Sequence, residues 1–270
     1  MTSLRQFLLW LEIPIEQVTA RIISQYIDVL MSKRLKPKTI NCHLQRIREF
    51  YHYLIQEEAL SIPNPVKKGY SLRTGRPLPK HLPQEQVDLL LSVLKTPRDR
   101  AMFMLMLRCG LRVSEVAALS LSDIDLPRQR LFIRDAKWGK DRIVYINDDA
   151  TGALLDYLKM RPPCRTDKVF LNQKGPCEGE PLSIRGIQKR MEYYANKTDL
   201  TVCCHHLRHT MATQMLNADA ELVTIQDLLG HSWITTTQRY CRVSNLKVQR
   251  DYYRAMELVM KRTTYYQLPT

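Results

Sequence analysis

The sequence predicts a mainly α-helical protein in which a proline-rich segment joins two helical domains and the second domain holds a small antiparallel β-sheet. Most of the chain carries apolar residues at helical spacing, which predicts amphipathic and buried helices. Residues 61–83 contain five prolines and two glycines, a composition that interrupts helices. The segment LFIRDAKWGKDRIVYI, at 131–146, places apolar β-formers on both sides of a turn and predicts a hairpin.

The first domain, residues 1–66, is predicted to consist of three helices. Their segments are LRQFLLWLEI, VTARIISQYIDVLMSKR and TINCHLQRIREFYHYLIQEEAL. In the third segment Ile40, Leu44 and Ile47 recur at intervals of three or four residues, whereas arginines occupy other faces. Residues 67–82 form the predicted linker.

The second domain, residues 83–270, is predicted to place helices before and after the hairpin. The earlier helices are QEQVDLLLSVLKT, RDRAMFMLMLRCG (ended by Gly110) and RVSEVAALS. The later ones are ATGALLDYLKM, SIRGIQKRMEYYANK behind a Ser183 cap, HLRHTMATQMLNA and LVTIQDLLG, which ends at Gly230. A last helix, NLKVQRDYYRAMELVMKR, forms a tail from about residue 245.

The charge of the chain indicates a polyanionic partner. The 270 residues carry a formal net charge of +14, and residues 1–80 hold thirteen lysines and arginines against six acidic residues. Such an excess attracts nucleic acid through counterion release and long-range steering. A merely solvated basic surface is the alternative, and an anionic membrane surface is less favoured because no basic amphipathic terminus is present.

Other compositional features argue against a membrane or secreted protein. The chain contains no run of 18 apolar residues, the length that a membrane-spanning helix needs. The amino terminus lacks the pattern of a signal peptide. Seven cysteines are an odd number without framework spacing, which favours reduced thiols. We therefore expect a cytoplasmic, nucleoid-associated protein.

The segment CCHHLRHT, residues 203–210, concentrates three histidines and an arginine. A zinc site is one interpretation, because His205 and His209 are four residues apart and follow two cysteines. No C-x-x-C pair, HExxH sequence or acidic cluster accompanies them. Packing is a second interpretation, and handling of protons and phosphates is the third. We predict no metal.

Partners for a phosphate site stand elsewhere in the chain. GLRVSE and AKWGKDR precede HHLRHT, and LLGHS and TTTQRY follow it. In their order, spacing and local sequence, these stretches resemble the tyrosine recombinase (phage integrase) family, whose pattern is Arg, Lys, His-x-x-Arg, His or Trp, and Tyr. The resemblance covers about residues 83–245, and the layout is closest to the simple two-domain Xer-like recombinases. The catalytic residues it implies are Arg112, Lys137, His205, Arg208, His231 and Tyr240.

The resemblance implies a fold and a function. The fold is a helical core-binding domain, which matches more loosely and lacks a counterpart for the family's opening helix, followed by the catalytic domain of DNA breaking-rejoining enzymes. The function is site-specific recombination or integration through a covalent 3′-phosphotyrosine intermediate, as a mobile-element integrase or a resolvase. No cofactor is implied, because arginines supply the positive charge.

Physical roles for these residues agree with that assignment. Charge develops on the non-bridging oxygens during phosphoryl transfer, and the planar forks of Arg112 and Arg208 suit those oxygens. Tyr240 is the implied nucleophile, and His205, three residues before Arg208, would accept its proton. His206, which follows His205 in the His-x-x-Arg motif, occupies a variable position of the family.

The remaining roles come from the resemblance. The family uses a lysine of the hairpin to protonate the departing oxygen, which here is Lys137, with Lys140 on the same turn as the alternative. His231 would hydrogen-bond the scissile phosphate. From its place in RVSEV, and not from the resemblance, Glu115 is expected to brace the arginine or cap the fold and not to perform chemistry. His209 would be a structural support.

Double-stranded DNA with a specific crossover site is the expected partner, held in a clamp by the two domains. By resemblance the tail docks on a neighbouring protomer and links a homotetramer on DNA, whereas packing within its own protomer is the alternative. Candidate DNA contacts are Lys36, Lys38, Arg46, Arg48, Lys67, Lys68 and Lys140.

Three rival functions remain open on the sequence alone. A type IB topoisomerase-like nicking and closing enzyme uses the same residues, and only pairing of two DNA sites separates it from a recombinase. A DNA-binding regulator with this fold would not cut, and it has no physical need for all six residues. A zinc-dependent DNA-binding protein would contain stoichiometric metal.

Overall fold

The computed structural model describes residues 3–67, 69–75, 80–134 and 141–230, together with positions 237, 252, 253 and 256. The chain divides into two compact units, Met1–Pro77 and Leu78–Thr270. Within the described ranges, no helix combines the length and apolar character that crossing a bilayer requires.

In its described residues, the first unit is built from three α-helices around an aromatic core. Phe7 and Tyr26 meet edge to face with ring centroids 5.1 Å apart, and the Tyr51 hydroxyl donates to the Ile15 carbonyl over 2.7 Å. These contacts bury the apolar faces that the sequence pattern predicts. The helices are α1 (Ser3–Trp10), α2 (Ala20–Ser32) and α3 (Pro37–Gln56), with a short 3-10 turn at Ile15–Gln17.

The segment that follows α3 returns along that helix. The Arg48 guanidinium donates to the carbonyls of Val66 and Lys67, at 3.1 and 2.6 Å. Asn41 pairs with the backbone of Leu72 in both directions, at 2.9 and 2.8 Å. Buried Val66 adds an apolar contact, so this part of the chain belongs to the first unit.

The second unit is organised around helix α5 (Pro97–Arg108), whose middle residues are all buried. This helix packs against α7 (Asp148–Met160) and α9 (Cys204–Asn217). Three helices of this unit begin with side-chain caps, at Thr96, Asn147 and Ser183, as expected for these residue types. The helices in the described part of this unit are α4 (Gln84–Ser92), α5 (Pro97–Arg108), α6 (Val113–Ala118), α7 (Asp148–Met160), α8 (Ile184–Thr198), α9 (Cys204–Asn217) and α10 (Leu222–Leu229).

Three short strands form the sheet seen in the described part of this unit. They are β1 (Ile124–Asp125), β2 (Arg130–Ile133) and β3 (Arg142–Tyr145), in the order β1-β2-β3 and all antiparallel. The pairing of Ile133 with Arg142 places the end of β2 beside the start of β3. The predicted fold class, mainly helical with a small antiparallel sheet, is confirmed; β1 was not predicted.

A buried ionic network joins the start of α5 to α8. Asp99 is inaccessible to solvent and lies 2.9 Å from Arg98 and 2.6 Å from Arg190. The Tyr194 hydroxyl donates to the same carboxylate over 3.0 Å. Burial alone would raise the pKa of Asp99, but the two arginines outweigh it and the pKa is lowered.

Candidate active site

The turn between α5 and α6 brings Arg112 to the site. Gly110 has φ +68, and a Cβ there would meet side-chain atoms of Leu229 and Met211 at 3.1 Å. A residue without a side chain is therefore needed both for the backbone conformation and for close packing. Arg112 follows as the residue before the first turn of α6.

Arg208 reaches the same place from the middle of α9. Its side chain is only 2% exposed, so its charge requires polar partners within the protein. One Nη donates to the carbonyl of Gly110 and the other to the carbonyl of Leu229. The arginine thereby joins α9 to both the turn after α5 and the end of α10.

The Glu115 carboxylate lies between these arginines. It accepts from the backbone N of Arg112 over 2.8 Å and from Arg112 Nη1 over 2.7 Å. Arg208 Nη1 is 4.0 Å away. Arg142, from β3, donates one Nη to each carboxylate oxygen, at 2.9 and 2.8 Å. One buried carboxylate therefore faces three guanidinium groups.

These partners control the protonation of Glu115. Burial raises the pKa of its carboxyl, but hydrogen bonds and charge from Arg142 and Arg112 outweigh this and lower it to about 2. The group is ionised at neutral pH and can fix arginine orientation through charge-assisted hydrogen bonds.

Three arginines also bind three consecutive carbonyls at the end of α10, two in the helix and one on the following Gly230. Arg142 Nε donates to Leu228 over 2.9 Å, Arg208 donates to Leu229, and Arg112 Nη2 donates to Gly230 over 3.2 Å. Carbonyls at a helix end lack helical partners, and the end carries partial negative charge that favours cations.

The histidines of α9 have different environments. His205 is exposed in the first turn, and its ring contacts that of His209 with centroids 4.2 Å apart. His206 lies within hydrogen-bond range of the Cys203 backbone N at 3.4 Å. Burial, followed by the charge of Lys80, lowers the pKa of His206. His206 therefore caps its own helix, and His205 is the histidine that faces solvent one turn from Arg208.

Five of the predicted catalytic and DNA-contacting residues lie outside the described residues: Lys68, Lys137, Lys140, His231 and Tyr240. Their sequence neighbours are described: β2 ends at Ile133, β3 begins at Arg142 and α10 is followed by Gly230. Arg112 and Arg208 are thus the sequence-predicted residues that the described structure brings together, and His205 lies beside Arg208 on α9.

A pocket of 610 Å³ opens beside Arg112. Its charged walls already have partners, since Arg134 pairs with Asp123 at 2.7 Å and Lys168 donates to Ser120 over 2.9 Å. Elsewhere in the described ranges, no three histidine, cysteine or acidic residues gather as metal ligands would. The described cysteines form no disulfide with one another.

The predicted DNA contacts of the first unit differ in their surroundings. Lys36, Lys38 and Lys67 are exposed. Arg46 forms a surface pair with Glu49 at 2.8 Å, a kind of pair that contributes little stability. Arg48 instead uses two of its N–H groups to hold the segment after α3.

Arg142 is the site residue that sequence reasoning missed. The sequence predicts the segment RIVY only as part of a strand. Yet in β3 Val144 is buried, while Ile143 and Tyr145 are exposed. Strand alternation therefore puts Arg142 on the inward side, and a buried arginine needs a carboxylate partner. Because Ile143, Val144 and Tyr145 are all apolar, the sequence alone does not display this alternation, and no local signal marks Arg142.

Comparisons with known proteins identify the class to which this fold and site belong. The phage integrase family matches residues 80–247, more than half of the chain. The tyrosine recombinase XerC of Actinobacillus succinogenes is 35% identical over 83% of this chain and 77% of its own length. The chain therefore belongs to the phage integrase family, a family of DNA strand-transferring enzymes, and is similar to XerC recombinases.

Solved structures agree in fold. The Tn1549 transposon integrase in complex with a circular intermediate DNA superposes with a TM-score of 0.74 at 21% identity, covering 88% of this chain and 86% of that one. The XerH site-specific recombinase bound to a palindromic difH substrate gives 0.75 at 19% identity, with coverage of 93% and 76%. At these identities the likeness concerns the fold.

Proposed function

We propose that this protein is a site-specific DNA recombinase that cuts and rejoins DNA strands through a covalent 3′-phosphotyrosine intermediate, as a mobile-element integrase or a resolvase. One observation carries the proposal: Arg112 and Arg208, from different elements, converge on Glu115 and on adjacent carbonyls of α10. Two such guanidinium groups suit the non-bridging oxygens of one phosphate.

Strand cleavage is a transesterification. The Tyr240 oxygen attacks the scissile phosphorus, a Tyr–O–P bond forms, and the bond from phosphorus to the 5′ oxygen breaks. His205 accepts the phenolic proton, which is otherwise held with a pKa near 10. Lys137 gives a proton to the departing oxygen, and His231 hydrogen-bonds the phosphate.

Rejoining is the reverse reaction with a different strand. A 5′-hydroxyl from the partner site attacks the phosphotyrosine, returns a proton to the Lys137 amine, and releases Tyr240, which recovers its proton from His205. Bond energy is conserved in the protein-linked intermediate, so the cycle consumes no nucleotide cofactor.

Double-stranded DNA carrying a crossover site is the proposed partner, and a homotetramer the proposed assembly, with a cytoplasmic place of action. Lys36, Lys38 and Lys67, exposed on the basic first unit, would contact phosphates. The tail from about residue 245 would dock on a neighbouring protomer. Deleting it should leave DNA binding intact and abolish tetramer formation by light scattering on target DNA; an unchanged assembly would contradict the tail's role.

A nicked suicide substrate tests the cleavage step. DNA flanking the protein's own gene is nicked beside each candidate crossover position, so that a short fragment leaves after cleavage and the adduct accumulates. Detergent-resistant protein–DNA adduct is then measured. We expect adduct with the wild-type protein, none with Tyr240→Phe, and the wild-type amount with Tyr145→Phe, which changes an exposed tyrosine of β3.

The same assay separates the rival functions. Tight binding without adduct on every nicked substrate would contradict the proposal and favour a non-cutting regulator. Adduct accompanied by relaxation of supercoiled plasmid, with no exchange between paired sites, would favour a topoisomerase-like enzyme. Stoichiometric zinc in purified protein that forms no adduct would favour the metal-dependent DNA-binding protein.

A further inference from the structure

Arg142 stands at the start of β3 and faces inward. Its side chain is 9% exposed and that of Glu115 is 6% exposed. Each Nη donates to a different oxygen of that carboxylate, at 2.9 and 2.8 Å. This is the bidentate geometry that only arginine provides, because a lysine ammonium cannot span both oxygens in a fixed plane.

The third donor of Arg142 reaches a different element. Its Nε donates to the carbonyl of Leu228, 2.9 Å away. A Cβ placed on Gly230 would lie 3.1 Å from Cδ of Arg142 and 3.3 Å from its Nε and Nη1. The guanidinium therefore packs directly on the backbone that leads into His231. One side chain joins β3, α6 and the end of α10.

Glu115 transmits this arrangement to the phosphate-binding arginines. Oε1 accepts from both Arg142 and Arg112, and Oε2 accepts from Arg142 and from the backbone N of Arg112. Arg208 lies 4.0 Å from the same carboxylate. Without Arg142 the carboxylate would lose two of its four donors, and it could turn toward Arg208 or toward solvent.

Stability alone does not account for such a cluster. A buried ion pair contributes little net stability compared with apolar residues of the same volume, because desolvation offsets the attraction. A hydrogen-bonded carboxylate can, however, fix the direction of a guanidinium, and small errors in direction slow a reaction strongly. The arrangement is thus better suited to orientation than to holding the fold.

We propose that Arg142 is a positioning residue for strand cleavage: it fixes Glu115 and the end of α10, so that Arg112, Arg208 and the following His231 meet one scissile phosphate. This role rests on the proposed function. Arg142 itself contacts no phosphate in this scheme. It acts through the carboxylate and through the Leu228 carbonyl.

Three variants test the role. Arg142→Met removes the guanidinium. Arg142→Lys keeps the positive charge but loses the planar group that binds both oxygens of Glu115. Arg190→Met is the matched control, because it removes an arginine from another buried carboxylate, Asp99. That carboxylate is eleven residues before Gly110, so it lies about 16 Å along α5 from the site.

The first readout is the single-turnover rate of adduct formation on nicked DNA at saturating concentration, well below each variant's melting temperature. We expect both Arg142 variants to be slower by about 100-fold, with DNA dissociation constants within about threefold of wild type. Arg190→Met should cleave at close to the wild-type rate. Equal losses in Arg142→Met and Arg190→Met, or full activity in Arg142→Lys, would overturn the proposal.

The second readout needs no DNA. In protein labelled with ¹⁵N in its arginines, the Arg112 guanidinium should show restricted Nη rotation, assigned with Arg112→Lys. The restriction should disappear in Arg142→Met and persist in Arg190→Met; if it persists in Arg142→Met, Arg142 has no positioning role. Absence of adduct from wild-type protein would contradict the proposed function alone, and the Arg112 signals would still decide the role of Arg142.

Discussion

Arg112 and Arg208, 96 positions apart in the sequence, donate to the neighbouring carbonyls of Gly230 and Leu229. The end of α10 is therefore held by the same two side chains that the family motif assigns to phosphate binding. His231, a third proposed catalytic residue, follows Gly230 directly in the sequence. Changes at that terminus should affect folding and catalysis together.

Replacing Gly230 by alanine should destabilise the protein and slow cleavage. The residue has φ +57, and a Cβ there would lie 3.1 Å from Arg142. A left-handed conformation alone costs a residue with a side chain about 1–2 kcal/mol, and displacement of the arginine adds to this. The measurement is the free energy of unfolding in urea, together with the rate of adduct formation.

Gly152→Ala is the control for this substitution. Gly152 lies within α7 and has open space where a Cβ would be, so alanine there should stabilise the protein by about 0.5–1 kcal/mol. A Gly230→Ala protein as stable and as active as Gly152→Ala would show that the close approach of Arg142 to the α10 terminus is unimportant.

Glu115 should make stability depend on acid pH. Its pKa is lowered from an ordinary value near 4.5 to about 2, which corresponds to roughly 3 kcal/mol for the ionised form. A lowered pKa gives stability that is present above the ordinary value and is lost as pH falls toward the folded-state value. The loss therefore falls between pH of about 4.5 and 2.

The measurement compares the wild-type protein with Glu115→Gln. Their difference in the free energy of unfolding should be largest at neutral pH and should shrink as the pH is lowered through that window. Asp99, whose pKa is also lowered, is present in both proteins and cancels in the comparison. A difference that stays constant with pH would mean that the carboxylate charge is not what the arginines stabilise.

Helix spacing and capping residues predicted much of the second unit. Gly110 ends α5, and Ser183 caps α8 by accepting from the Gly186 backbone N at 3.0 Å. Both depend on local chemistry that a sequence displays. The two-residue strand Ile124–Asp125 was not predicted, because it gains its structure only from pairing with β2.

The candidate site was predictable where a motif marks it and not where tertiary contacts make it. Arg112, His205 and Arg208 stand in recognisable stretches. Arg142 has no local signature, because its partner Glu115 is 27 positions earlier and on another element. Similarly, no pattern around Arg48 indicates that its guanidinium folds back onto the carbonyls of residues 66 and 67.

Lys38 should contribute to DNA affinity through charge alone. It is exposed in the first turn of α3, where the partial positive charge of the helix end makes a cation unfavourable by about 0.3–1 kcal/mol. Lys38→Ala should therefore leave the first unit as stable as before, or slightly more so, while weakening DNA binding. A loss of DNA affinity without a loss of stability distinguishes a DNA contact from a role in folding.

The salt dependence of DNA binding measures the contribution of Lys38 to the affinity. If Lys38 neutralises one phosphate, the slope of log affinity against log salt should fall in magnitude by about 0.9 in Lys38→Ala. Lys159→Ala is the control, since Lys159 is exposed on α7 and lies 3.7 Å from Asp156. A slope unchanged from wild type in Lys38→Ala, with Lys159→Ala also unchanged, would remove Lys38 from the DNA contacts. An equal fall in both variants would mean that binding follows net charge and not the position of Lys38.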